Sequence, residues 1–167
     1  YCGALARVCL EKYYAEPDPQ AKKEWYDRCL NYLARSIEYN PMEPTRNANL
    51  GRFYRVQGRE SKDAARRAEN FNLAIKYYET ACELSPQHPA LRNELGEVYH
   101  EMGNLAEAIK QYERSLGISP DFSETYSHIG DAYLEKSTKP NGTGADKDNA
   151  VKNYYEAVKI QARLMPD

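Results

Sequence analysis

The histidines and cysteines are the side chains of this 167-residue chain best suited to metal binding or nucleophilic catalysis. His88 falls in a predicted turn, whereas His100 and His128 fall on helices of two different predicted hairpins. None of the phosphate-loop, Gly-x-Ser-x-Gly or His-Glu-x2-His motifs is present. No Cys-x2-Cys spacing occurs among the cysteines, which are Cys2, Cys9, Cys29 and Cys82. We therefore predict no catalytic centre, no metal site and no cofactor.

Three of the cysteines fall at apolar positions of predicted helices. Cys9, Cys29 and Cys82 are spaced as core residues, where an unpaired cysteine acts as a small apolar side chain. Free core thiols are typical of a reducing compartment. This favours the cytoplasm over secretion, and attachment to a membrane protein remains an open alternative.

Composition and charge narrow the class of partner. The chain is 41% apolar and 29% charged, with a net charge of −2, so bulk electrostatics gives no case for nucleic acid. No apolar run approaches the roughly 20 residues of a membrane span. Composition therefore gives no case for a nucleic-acid partner or for membrane insertion by this segment.

The region from Pro89 to Pro120 shows which secondary-structure elements position the histidine and cysteine side chains. Its apolar residues recur every three or four positions on two stretches joined at Gly103 and Asn104, which predicts two amphipathic helices. The apolar positions are Leu91, Leu95, Val98 and Tyr99, followed by Leu105, Ala108, Ile109, Tyr112 and Leu116. Small side chains at Gly96, Ala108 and Ser115 would allow the two helices to approach closely, with Tyr99 and Tyr112 filling the volume around the contact.

This hairpin resembles the tetratricopeptide repeat (TPR), a 34-residue helix-turn-helix unit. The matching positions are Leu95, Gly96, Tyr99, Gly103, Ala108, Tyr112 and Pro120, whereas Arg92 stands at the tryptophan position. Partial copies indicate repeats at about 1–43, 44–88, 89–122 and 123–167. The resemblance implies an all-α, right-handed superhelical solenoid of four helix-turn-helix repeats in a single domain. Because the chain starts at Tyr1, we interpret it as a fragment of a longer protein.

Repeat spacing predicts lengthened helices in the first half. Corresponding positions such as Cys29 and Ala74 lie 45 residues apart, whereas Ala74 and Ala108 lie 34 apart. The extra eleven residues are close to three helical turns, so they can lengthen a helix without rotating its apolar face. We expect elongated second helices at about 19–39 and 61–83, an exposed loop at 137–144 and a last helix from about 146 to 163.

The TPR resemblance also implies a binding surface, because the first helices of such repeats line a concave groove. The residues at these positions would make the groove basic near its N-terminal end and acidic near its C-terminal end, and we expect them to contact a partner. They are Arg7, Arg52, Arg55, Asn93, Glu97, His100 and Asp131, with Glu101, Ser127 and Glu135 on the same wall. No lysine stands at the positions that in some TPR domains grip a chaperone's C-terminal carboxylate, which argues against that ligand.

The predicted function is a non-catalytic scaffold that binds a protein or peptide in the concave groove. A second resemblance, over Asn40–Arg55, is to the TPR region of bacterial O-antigen polymerase or ligase-like proteins, and suggests an accessory domain of a membrane glycan enzyme. A third alternative is a homo-oligomeric module that pairs through the last helix. That helix carries apolar residues which no following segment covers, namely Val151, Tyr155, Val158 and Leu164.

Overall fold

The computed structural model describes residues 2–164, apart from the side chains of Cys2, Gly3, Ala4, Ala6 and Arg7. These residues form eight α-helices and no strand. In chain order the helices are α1 (Cys2–Ala15), α2 (Pro19–Tyr39), α3 (Pro44–Glu60), α4 (Ala64–Leu84), α5 (Pro89–Glu101), α6 (Leu105–Ile118), α7 (Ser123–Thr138) and α8 (Gly144–Leu164). The all-α expectation is confirmed.

The helices pack as four successive hairpins. Each odd-numbered helix packs on the even-numbered helix that follows it, and α2, α4 and α6 also pack on the first helix of the next hairpin. Weaker contacts join α3 to α5 and α5 to α7, so these three first helices form one continuous wall. The arrangement is the solenoid of four helix-turn-helix units that the sequence pattern predicted.

Helix starts follow from local chemistry. Pro19, Pro44 and Pro89 occupy the first turns of α2, α3 and α5, where a missing N–H does no harm. Asp18 caps α2 by accepting a hydrogen bond from the backbone N–H of Ala21 at 2.8 Å.

The start of α4 differs from the predicted start at about position 61. Instead Asp63 caps α4 by accepting from the backbone N–H of Arg66, and Ser61 ends α3 by donating its backbone N–H to Gln57. Aspartate and serine are comparably good capping residues, and Asp63 stands two residues closer to the apolar part of the helix. The helix therefore begins at Ala64 rather than at position 61.

The predicted elongated second helices are confirmed at Pro19–Tyr39 and Ala64–Leu84, and the eleven extra residues of the second hairpin also lengthen its first helix. Helix α3 has 17 residues against 13 in α5, and α4 has 21 against 14 in α6. The connections stay three residues long, at 61–63 and 102–104. Lengthening both helices keeps their apolar faces paired, because a single long helix would leave its last turns without a partner.

Each of the last three hairpins is held by a glycine lying under a tyrosine ring. A Cβ atom at Gly51, Gly96 or Gly130 would come within 2.8, 2.5 and 2.6 Å of a ring carbon. The rings belong to Tyr78, Tyr112 and Tyr154 of the following helix. The predicted close approach is therefore between backbone and ring, while Ala74, Ala108 and Ala150 are buried nearby in the core.

The hairpin turns match their sequences. Gly103 has a φ of 77°, in the left-handed region that favours glycine, and it forms the turn between α5 and α6. The turn between α7 and α8 is shorter than the predicted loop of 137–144, since α7 continues to Thr138 and α8 starts at Gly144. Its helix start is fixed by Thr143 and Asp146, whose side chains and backbone N–H groups hydrogen-bond reciprocally as a capping box.

Candidate functional site

A ladder of ion pairs joins α3 to α5 along the wall. Three arginines of α3 each contact the glutamate 42 residues further on, and both sets are spaced by three and then four residues. The pairs are Arg52 with Glu94, Arg55 with Glu97 and Arg59 with Glu101. Residues at i, i+3 and i+7 share one helix face, so the two charged stripes face each other along the groove.

Arg55 is the centre of this ladder. Its side chain is 15% exposed, and its guanidinium contacts Glu97 and also donates from Nε to Glu101 at 2.8 Å. Burial alone would lower the pKa of Arg55, but the hydrogen bond to Glu101 and the charge of Glu97 raise it above its usual value. The guanidinium therefore remains charged and bridges the two helices.

A second set of polar contacts joins α5 to α7. The Nε2 atom of His100 lies 3.1 Å from Glu135, whose carboxylate also takes an ion pair from Lys139 at 2.8 Å. The hydrogen bonds from Lys139 and His100 lower the pKa of Glu135. The wall formed by α3, α5 and α7 is thus crossed by charge pairs from one end to the other.

These ion pairs correct the prediction that the groove is basic near its N-terminal end and acidic near its C-terminal end. Arg52 and Arg55 are matched by carboxylates from the neighbouring helix, so they do not form a free basic patch. The sequence-based expectation treated each helix face as facing solvent alone. In the structure the facing helices lie close enough for opposite charges to neutralise one another.

The sequence-based expectation was also wrong in placing Asn93 on the groove surface. It is 4% exposed, and its amide donates to the hydroxyl of Thr125 at 2.7 Å while its carbonyl oxygen accepts from that hydroxyl at 3.0 Å. A buried amide with its partner satisfied has nothing to offer a ligand. Asn93 ties α5 to α7 from inside the wall, and it is not a contact residue of the groove surface.

The remaining predicted residues differ in their surroundings. Asp131 is exposed on α7 and accepts a hydrogen bond from the Tyr154 hydroxyl at 2.7 Å. Burial, together with this hydrogen bond to a carboxylate, raises the pKa of Tyr154 to about 12. The side chain of Arg7 lies outside the described residues. The structure therefore brings Arg52, Arg55, Glu97, His100 and Asp131 to helices of one wall.

A cavity of about 370 Å³ opens on this wall. Its lining comes from α3, α5, α6 and α7 and includes Arg55, Glu97, Glu101, Tyr112, Glu124 and His128. The rings of Tyr112 and His128 lie 5.3 Å apart between their centroids. This is the place along the wall where helices of three successive hairpins surround one open volume.

Several residues of this site were missed from the sequence. Glu94 and Arg59 belong to the charge ladder, and Tyr112 was assigned to packing alone. The matched spacing of arginines at 52, 55 and 59 and glutamates at 94, 97 and 101 was a signal that could have revealed the ladder. His128 carried no comparable signal, since its place beside Tyr112 depends on how α7 packs against α6.

Within residues 2–164 no group of three or more histidine, cysteine or acidic side chains is arranged to hold a metal ion. Over the same part of the chain, no helix is both long and apolar enough to cross a membrane. What the wall offers is polar and charged side chains around an open cavity, which is suited to binding.

Comparison with known proteins decides the class of fold. Residues 63–121 match the tetratricopeptide repeat family model. The fold is a tetratricopeptide-repeat solenoid. A crystal structure of MamA superposes with a TM-score of 0.66 at 21% identity, over 95% of this chain and 87% of that one. The resemblance to the tetratricopeptide repeat is confirmed.

Other TPR solenoids are equally similar in shape. A thermophilic TPR protein of Thermus thermophilus gives a TM-score of 0.71 at 18% identity, covering 98% of this chain and 79% of that chain. The segment of MamA from residue 41 to its end, from Desulfovibrio magneticus RS-1, gives 0.68 at 13% identity over 98% and 77% of the two chains. A search of curated protein sequences gives no match. Similarity at these identities shows the fold alone, and TPR folds serve as protein-interaction scaffolds.

Proposed function

We propose that the concave wall of α3, α5 and α7 binds a segment of a partner protein. This proposal rests on the open cavity of about 370 Å³, whose lining includes residues of the wall's charge pairs. A helix surface that only faces solvent is not expected to form a cavity lined by a buried tyrosine. Partly exposed charges on either side, such as Arg52 and Asp131, would fix the register of a bound segment.

The test is to select peptides against the purified chain and to measure their affinity for wall variants. Arg52→Glu and Asp131→Lys change exposed residues of the wall, so they should weaken binding without unfolding the chain. Lys76→Glu is the matched control, since Lys76 is exposed on α4, which is not part of the wall. Equal affinities for all three variants would remove the wall from consideration.

A second candidate function rests on α8. Val151, Tyr155 and Val158 are each more than 60% exposed and lie on one stripe of this helix. In the other hairpins the corresponding helix is covered by the first helix of the next hairpin. A second copy of this chain could cover the stripe. Light scattering over a concentration series should then show a dimer that Tyr155→Lys abolishes, whereas a monomer at every concentration would refute it.

A further inference from the structure

The cavity on the wall contains buried polar atoms that have no partner. The hydroxyl of Tyr112, the Nδ1 atom of His128 and the Oε2 atom of Glu101 are all buried, and none makes a hydrogen bond with the described residues. Buried polar atoms in folded proteins are almost always paired, so three orphans around one cavity require an explanation. A bound polar group would supply it.

Tyr112 is the most telling of the three. Its side chain is completely buried, and its ring is held against Gly96. The ring is therefore held in place, and Tyr112 contributes to the lining of the cavity. Leaving such a group unpaired lowers the stability of the fold, a cost that phenylalanine would avoid. Tyr78 in the preceding hairpin also carries a buried hydroxyl without a hydrogen bond, so what distinguishes Tyr112 is that it shares the lining of one cavity with two other unpaired atoms.

The hydrogen-bonding capacity of the three atoms indicates the chemistry of the ligand. The Glu101 oxygen accepts only, the Tyr112 oxygen can accept, and Nδ1 of a neutral His128 accepts when the ring proton is on Nε2. Three acceptors around one volume match a group with three N–H donors. A primary ammonium is such a group.

Charge favours the same ligand. The lining guanidiniums of Arg55 and Arg59 are already paired with Glu97 and Glu101. Glu124 is exposed at the lining, and its carboxylate makes no ion pair or hydrogen bond with the described side chains. The lining thus has a surplus negative charge, which attracts a cation and repels a carboxylate.

We propose that this cavity is a subsite for a primary ammonium group, from a lysine side chain or a free N-terminus, of the segment that occupies the wall. The proposal rests on the function proposed above and gives it a chemical preference. In the bound state the ammonium donates to Glu101, Tyr112 and His128, and Glu124 balances its charge. A partner that lacks a cation at this point would leave the three orphans unpaired.

The test uses small probes that report on the cavity without any partner. Nitrogen-15 NMR spectra of the full chain are recorded during titration with Nα-acetyl-lysine methylamide. Glycinamide serves as the probe for a free N-terminus, and Nα-acetyl-norleucine methylamide lacks the ammonium altogether. We expect weak, saturable shifts at positions 101, 112 and 128 with at least one amine and none with norleucine. No saturable shift, or an equal response to norleucine, would overturn the proposal.

Two substitutions separate binding from folding. Tyr112→Phe removes an unpaired hydroxyl, so it should leave the melting temperature unchanged or higher while it weakens amine binding several-fold. Tyr78→Phe is the matched control, because Tyr78 has the same place against Gly51 in the preceding hairpin and does not line the cavity. Amine affinity that is the same in Tyr112→Phe and in the unmodified chain would contradict the subsite.

The outcome for the subsite can be told apart from the outcome for the wall. If a selected peptide binds the wall but keeps its affinity after acetylation of its amino groups, the ammonium subsite is wrong and the wall proposal stands. If the lysine probe binds in the cavity but no selected peptide competes with it, the subsite stands and the wall proposal fails.

Discussion

Gly96 lies under the buried ring of Tyr112, so close that a Cβ atom on Gly96 would come within 2.5 Å of the ring carbon Cε1. The ring is fully buried and has no room to retreat. The same tyrosine therefore has two roles. Its ring packs the third hairpin, and its unpaired hydroxyl belongs to a residue that lines the cavity.

Gly96→Ala should therefore overpack the third hairpin. The added methyl group would push the Tyr112 ring out of place, and overpacking of this kind costs about 1–3 kcal/mol of unfolding free energy. Gly117→Ala is the control, since nothing lies within 4 Å of a Cβ atom at that helical position, and it should gain about 0.5–1 kcal/mol. Urea unfolding measures both, and a stable Gly96→Ala variant would contradict the packing described.

Arg55→Glu should destabilise the fold, because it would bring a third carboxylate against Glu97 and Glu101. Breaking a largely buried pair costs on the order of 3 kcal/mol. Arg52→Ala breaks the half-exposed pair with Glu94 and should cost only about 0.5 kcal/mol. Thermal unfolding of both variants checks this difference. Restoration of stability by Arg55→Glu combined with Glu101→Arg would support the ladder, and equal costs for Arg55 and Arg52 would count against it.

The hydrogen-bonded pair of Asn93 and Thr125 should behave as a buried structural contact. Asn93→Ala leaves the Thr125 hydroxyl without its partner and should cost about 1–3 kcal/mol. Asn93→Leu together with Thr125→Val removes both polar groups and should cost less than the single change. The measurement is a double-mutant comparison of unfolding free energies. Full stability of Asn93→Ala combined with loss of peptide binding would instead return Asn93 to the groove surface.

The stability of the folded chain should depend on pH through the carboxyl group of Asp146. Hydrogen bonds from Lys136 and from the hydroxyl and backbone N–H of Thr143 lower the pKa of Asp146 to about 2. A carboxyl whose pKa is lower in the folded chain stabilises it above the usual pKa near 4, and that contribution disappears as the pH falls towards 2.

The difference in stability between Asp146→Asn and the unmodified chain should thus be large at pH 7 and vanish near pH 2. Asp148→Asn is the control, because Asp148 is exposed on the same helix and should change little at pH 7. Thermal unfolding from pH 7 to pH 2 measures this. A stability difference for Asp146→Asn that does not change with pH would refute the assigned contacts.

The fold could be predicted from the sequence because its signals are local and repeated. Pro19 and Asp18 mark a helix start wherever they stand, and Gly103 marks the turn between α5 and α6 through its positive φ. The division of the eleven extra residues between α3 and α4 could not be predicted in this way. It depends on pairing two apolar faces, and either helix alone could have absorbed the insertion.

The candidate site was predicted less well, since its properties arise between helices. Spacing placed Arg55 and Glu97 on the same wall, but whether they face solvent or each other depends on the distance between α3 and α5. Asn93 was assigned to the surface by its position within the repeat, and packing of α7 instead buried it beside Thr125. A cavity formed by four helices leaves no pattern in any one of them.

The central claim is that the wall of α3, α5 and α7 binds a partner segment. A peptide selected against the chain and carrying a nitroxide label at one end tests this most directly, through the broadening of amide NMR signals. We expect the strongest broadening along the wall, at positions 52, 97 and 131. Broadening confined to α8 around Tyr155, or to the exposed faces of α4 and α6, would contradict the claim.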